Sequence, residues 1–157
     1  MKARILIVDD HEIVRKGICK LIEDSGHAWE ICGEAASGSE AIALAVSLNP
    51  DVIVLDIAMP TLSGFEAASR IAGLGLNCRT LLFTMYESKR LGAESRRAGA
   101  HGYVLKSQAA RYLVVAVERL LAGGTFFGSP EGEAHLQSDT PPDNGRVYCL
   151  DLSFGVV

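Results

Sequence analysis

The residues best suited to chemistry are five polar side chains that each follow a short apolar run. Asp9-Asp10 follow residues 4–8, Asp56 follows 51–55, Thr84 follows 80–83 and Lys106 follows 102–105. Three carboxylates, a hydroxyl and an ammonium would therefore meet if those runs lie side by side. Packed without a counter-charge, the carboxylates repel and hold one another's protons. A hard cation with oxygen ligands relieves that, and Mg²⁺ suits a site of one or two carboxylates, water and a phosphate oxygen. With Lys106 as a second positive charge, a phosphoryl group could be held while an aspartate attacks phosphorus. The plainer reading of any one aspartate at a strand end is a turn former or helix cap, and Asp10 could cap the helix that follows. Thr84 could be an ordinary strand residue and Lys106 a solvated charge. The joint pattern, one such residue at the same end of every central run, favours a shared site.

The positioning elements are legible in the spacing. The four runs are short and almost wholly apolar, as strands covered on both faces are. A fifth run, 29–35, alternates more and reads as an edge strand. Between them lie helical patterns. Residues 11–24 put Val14, Ile18, Leu21 and Ile22 on one stripe. Ser37 with Glu40 and Ser63 with Glu66 form capping-box pairs. Asn49-Pro50 stops the helix after Ser37. Further helices are expected over 65–74, 88–98 and 108–121, with Gly99 closing the fourth. Strand and helix alternate five times, which means an α/β fold, (βα)5, with a doubly wound parallel sheet and ligands beyond the carboxyl ends of its strands.

Composition agrees. The 157 residues are 48% hydrophobic and 22% charged, with a net charge of −4. That balance argues against a free-standing nucleic-acid binder. No stretch is apolar enough to span a bilayer and no secretion signal is visible, so the cytoplasm is the expected compartment. Cys19, Cys32 and Cys78 read as buried free thiols, and none of the four cysteines forms a C-x-x-C pair. The domain is expected over 1–122. Residues 123–157 form a linker-like, atypical tail, turn-rich over 138–145 and β-prone over 147–152.

Asp9-Asp10, Asp56 within Asp56-Ile57-Ala58-Met59-Pro60, Thr84, and Tyr103 ahead of Lys106 resemble the motif set of bacterial response-regulator receiver domains. Gly64, Thr84-Met85-Tyr86-Glu87-Ser88 and Gly99-Ala100-His101-Gly102-Tyr103 are similar to the NarL/FixJ (LuxR-type) subfamily. The resemblance covers 3–122. It implies a flavodoxin-like fold with strand order 2-1-3-4-5. It implies phosphorylation of Asp56 by a sensor histidine kinase or a small phosphodonor such as acetyl phosphate. Asp9, Asp10, Asp56 and the Ala58 carbonyl would hold Mg²⁺. Lys106 would contact the phosphoryl group, Thr84 would hydrogen-bond it, and Tyr103 would swing inward as the switch. Such a chain is a phosphoacceptor signalling domain, not an enzyme acting on other substrates. Homodimer formation on phosphorylation is a further expectation.

Two departures from the family stand out. Ser107 takes the place where many receivers have proline, so a trans bond is expected there. The helix-turn-helix domain usual in the NarL type is not recognisable in the tail. A stand-alone receiver and a shortened DNA-binding regulator both remain open, with no direct nucleic-acid contact expected from the chain as written. A haloacid-dehalogenase-like phosphohydrolase would need Asp-x-Asp on the first strand, and a flavin-type cofactor binder a Ser/Thr/Gly phosphate cradle; neither is present. Met85 is expected either to overhang the Asp56 pocket or to fill a gap beside the fourth helix.

Overall fold

The computed structural model describes residues 2–129. Its elements run β1 (Arg4–Val8), α1 (Glu12–Glu23), β2 (Glu30–Ala35), α2 (Gly38–Leu48), β3 (Val52–Asp56), α3 (Gly64–Gly73), β4 (Arg79–Thr84), α4 (Leu91–Arg97), β5 (Gly102–Leu105), a 3₁₀ turn (Lys106–Gln108), α5 (Ala109–Leu121) and β6 (Phe126–Phe127). All these strand pairs are parallel, in the order β2-β1-β3-β4-β5-β6. The expected order 2-1-3-4-5 stands, with one strand added at its far edge.

Successive strand side chains point to opposite faces, and here both faces are covered. Ile5, Ile7, Val52, Val54, Leu81, Phe83 and Val104 pack with α1 and α5. Leu6, Val8, Ile53, Leu55 and Leu82 pack with α2 and α3. The sheet is thus the shared wall of two apolar cores. Polar chemistry emerges from it at the strand ends, where the backbone turns out of the layer.

The helix starts follow the capping reading. The Ser37 and Ser63 hydroxyls accept the backbone N–H of Glu40 and Glu66 at 3.1 and 3.3 Å. Asn49 closes α2 in the left-handed conformation, φ 51°. Gly64 sits where no side chain fits, since a Cβ there would lie 2.3 Å from the Asp56 carbonyl oxygen. That close approach is how α3 is seated against the end of β3.

Three expectations need correction. The fourth helix does not span 88–98 but only Leu91–Arg97. Arg90 gives it no side-chain cap and residues 85–90 are exposed, so its anchorage rests on the buried Leu91, Gly92 and Ser95. The domain does not end at 122. Phe126 and Phe127 are fully buried, and β6 hydrogen-bonds along β5. The cysteines are free thiols, but Cys19 alone of the three is buried; Cys32 and Cys78 are half-buried. Burial raises the pKa of all three. The peptide bonds among the described residues are trans, Lys106–Ser107 included. Cys149, the turn-rich stretch 138–145 and the β-prone run 147–152 lie outside the described residues.

Candidate functional site

Parallel pairing in register brings the strand ends together. Val8 pairs with Leu55, Asp56 with Phe83 and Thr84 with Leu105. Asp9-Asp10, Asp56, Thr84 and Lys106 consequently emerge at one edge, as the spacing implied. Asp9 is 0% and Asp56 1% exposed. Lys106 reaches both carboxylates, its Nζ 2.9 Å from Asp9 Oδ2 and 3.2 Å from Asp56 Oδ1. Thr84 is buried one strand over, and its hydroxyl oxygen accepts the Tyr86 N–H at 3.3 Å, leaving its own proton to donate elsewhere.

The electrostatics are unbalanced. One ammonium serves the two buried carboxylates of Asp9 and Asp56, and Asp10 adds a third negative charge beside them. Burial, and next the Asp9 charge, push the Asp56 carboxyl up to about 6 despite the opposing pull of Lys106. Burial pulls Lys106 down, but the Asp9 hydrogen bond and the Asp56 and Asp9 charges outweigh it and raise its pKa. The Asp56 Oδ2 atom is buried with no hydrogen-bond partner among the described residues. Asp9, Asp10, His11 and Asp56 each offer a ligand atom within 4.8 Å of the others. A buried orphan oxygen, excess negative charge and converging oxygen donors fit a divalent cation.

The loop after β3 supports Asp56 directly. The Ala58 N–H donates to Asp56 Oδ1 at 3.3 Å, and Thr61 adopts a positive φ of 71° as the chain turns toward α3. Tyr103 is half-buried, edge-on to Phe127 at 6.3 Å between ring centroids. It lines a crevice of about 280 Å³ with Glu87, Gln108, Tyr112 and Phe127. Met85 does not fill a gap beside α4. It is exposed and lines an apolar groove with Val14, Ile18 and Leu21 of α1 and Ala109 of α5.

Two contributors escape the sequence reading. His11 lies in the acidic cluster, Nδ1 3.0 Å from Asp10 Oδ1 and 3.3 Å from Asp9 Oδ1. Its signal is adjacency to Asp9-Asp10, obscured by its place at the start of a helical pattern. Arg15 donates from Nη1 to the Asp9 carbonyl at 2.7 Å and from Nε to Glu34 at 3.2 Å, pinning the loop that carries the carboxylates. Nothing in the spacing marks that role, because it depends on β2 lying beside β1.

Residues 5–118 match the family described as the response regulator receiver domain. The response regulator UvrY of Escherichia coli is 31% identical over 149 residues, 95% of this chain and 68% of that protein. A nitrate/nitrite response regulator protein homolog of Haemophilus influenzae is 34% identical over 156 residues, 99% of this chain and 74% of that protein. Among solved structures, a LuxR-family two-component response regulator from Aurantimonas sp. SI85-9A1 superposes with a TM-score of 0.79 at 37% identity, covering 88% of this chain and 97% of that one.

Proposed function

The chain belongs to the response-regulator receiver family, and on that premise we propose that it is switched by phosphorylation of Asp56. The observation that carries this reading is Lys106 Nζ, 3.2 Å from the Asp56 carboxylate at the edge it shares with Asp9, Asp10 and Thr84. A phosphoryl group entering there meets a carboxylate nucleophile, an ammonium and a hydroxyl donor at once. Mg²⁺, held by Asp9, Asp10, Asp56 and the Ala58 carbonyl, supplies neutralisation of phosphoryl oxygen charge when bound.

An Asp56 oxygen forms the new bond to phosphorus, and the bond from phosphorus to the donor breaks, its electron pair leaving with the donor. The donor is a sensor histidine kinase's phosphohistidine or acetyl phosphate. Lys106 then holds a phosphoryl oxygen in place of part of its contact with Asp56. The Thr84 hydroxyl donates to another, a charge-assisted bond of about 1.5–3 kcal/mol. Tyr103 follows Thr84 inward, and the surface of α4, β5 and α5 changes. Output runs through protein contact on that surface in the cytoplasm, with homodimer formation on phosphorylation. No helix among the described residues is long and apolar enough to cross a membrane.

The test is intact mass after incubation with acetyl phosphate and Mg²⁺. One phosphoryl adduct is expected on the parent chain and none on Asp56→Asn. Equal labelling of the two would overturn the assignment.

A further inference from the structure

We propose that His11 supplies an imidazole nitrogen to the cation site, making it a mixed nitrogen–oxygen site that favours first-row transition ions over Mg²⁺ more than carboxylates alone would. The inference rests on the cation-site reading of Asp9, Asp10 and Asp56. The new element is the side chain that follows them.

Three observations place His11 in that role. Its backbone N–H donates to Asp9 Oδ1 at 2.8 Å, so the residue is fixed to one of the carboxylates it would join. Its Nδ1 already stands 3.3 Å from Asp9 Oδ1, in a hydrogen bond that a cation would replace, and 3.0 Å from Asp10 Oδ1, a buried oxygen without a hydrogen-bond partner among the described residues. It is also one of four residues whose potential ligand atoms fall within 4.8 Å of one another. The cluster is more than a group of acids at a surface. Asp56 is 1% exposed and its Oδ2 is buried without a hydrogen-bond partner among the described residues.

The chemistry follows from donor type. Carboxylate, carbonyl and water suit Mg²⁺, Ca²⁺ and Mn²⁺, whereas imidazole adds affinity for later ions such as Ni²⁺ and Zn²⁺. Mg²⁺ holds to near-ideal octahedral geometry and gains little from a nitrogen ligand. The His11 side chain is 67% exposed, so its ring can turn toward an ion without breaking a packed core. By contrast, His101 is engaged elsewhere, its Nδ1 accepting the Thr80 N–H at 3.0 Å. His27 stacks on Trp29, with ring centroids 4.0 Å apart.

The experiment uses the full chain with Mn²⁺ and Ni²⁺ as probes. Pulsed electron paramagnetic resonance of the Mn²⁺-loaded chain should show nitrogen modulation from a coordinated imidazole. That modulation should vanish in His11→Gln and in His11→Ala while Mn²⁺ still binds. By calorimetry, the ratio of Mg²⁺ to Ni²⁺ dissociation constants should fall at least about tenfold in His11→Ala. Asp9→Asn is the control for the site itself and should weaken both ions. Mn²⁺ that binds in an Asp9-dependent way with no nitrogen modulation, or modulation that survives both His11 variants, overturns the role of His11 and leaves the phosphorylation reading standing. A chain that binds neither Mn²⁺ nor Mg²⁺ overturns both.

Discussion

At the residue scale, the fold holds Asp56, the proposed nucleophile, under strain of charge. Asp56 is raised from 3.8 to about 6 because it is buried and faces Asp9. A carboxyl whose folded value lies above its unfolded one favours the fold when protonated. That contribution is full below pH ~4, is lost as pH rises through about 6, and stays lost above. For an almost fully buried group a shift of this size is on the order of 3 kcal/mol. In EDTA, Asp56→Asn should therefore melt higher than the parent at pH 7.5, with the difference shrinking toward pH 4. Thermal melts across that range decide it, and a parent that gains stability between pH 4 and 6 would show the sign to be wrong. Lys106 is the complementary case. Lys106→Ala leaves two buried carboxylates without their cation, a loss of roughly 3–5 kcal/mol for a broken buried pair. Urea unfolding should show that loss in EDTA and partial recovery with Mg²⁺.

At the scale of elements, two glycines make opposite predictions from the same substitution. Gly64 opens α3 where a Cβ would meet the Asp56 carbonyl at 2.3 Å and Ile57 Cα at 2.6 Å, both backbone atoms that cannot swing aside. Gly64→Ala should push α3 off the end of β3, at about 1–3 kcal/mol, and slow phosphorylation by acetyl phosphate as Asp56 shifts with it. Gly17 lies within α1, where an added methyl group would meet nothing within 4 Å. Gly17→Ala should stabilise by roughly 0.5–1 kcal/mol and leave phosphorylation unchanged. Equal effects at the two positions, in paired melts and labelling assays, would sever the link between α3 seating and Asp56. These cases also show where sequence reading succeeds. Ser37, Ser63 and Asn49 act through neighbours three or four residues away, so their roles are written in local spacing. Gly64 acts through a residue on another element, and its type alone carries no hint of that. The fourth helix is shorter than its pattern for the converse reason: 88–90 are compatible with helix, but they lie exposed, without the burial that would hold them there.

At the scale of the whole molecule, the question is where the domain closes. The strand ends and their chemistry are legible because a run of apolar residues followed by a polar one survives in any register. The sixth strand is not, since two residues show no alternation and Gly123-Gly124 before them resemble a linker. Long-range packing decides otherwise. Phe126 sits in the α1/α5 core beside Tyr112. Phe127 packs against Tyr103 and lies under Arg96 of α4, 4.1 Å from ring centroid to guanidinium carbon. The short strand thus ties the far edge of the sheet to the proposed switch tyrosine and to the weakly anchored α4. Gly102 makes the pairing feasible, because a Cβ there would stand 2.1 Å from the Phe126 carbonyl oxygen. Phe126→Ala should cost about 3–5 kcal/mol, as a large core truncation does. Gly102→Ala should instead pry β6 away while leaving Phe126 chemically intact. Its signature is local: the Phe126 and Gly128 amides, which donate to His101 and Tyr103 carbonyls at 3.1 and 2.9 Å, should exchange much faster than the β1 and β3 amides. Uniform acceleration throughout the sheet would mean that β6 is integral to one cooperative unit and has no separate opening. Protection unchanged at both amides would mean that the edge can absorb a methyl group, and that the glycine is not what keeps β6 in place.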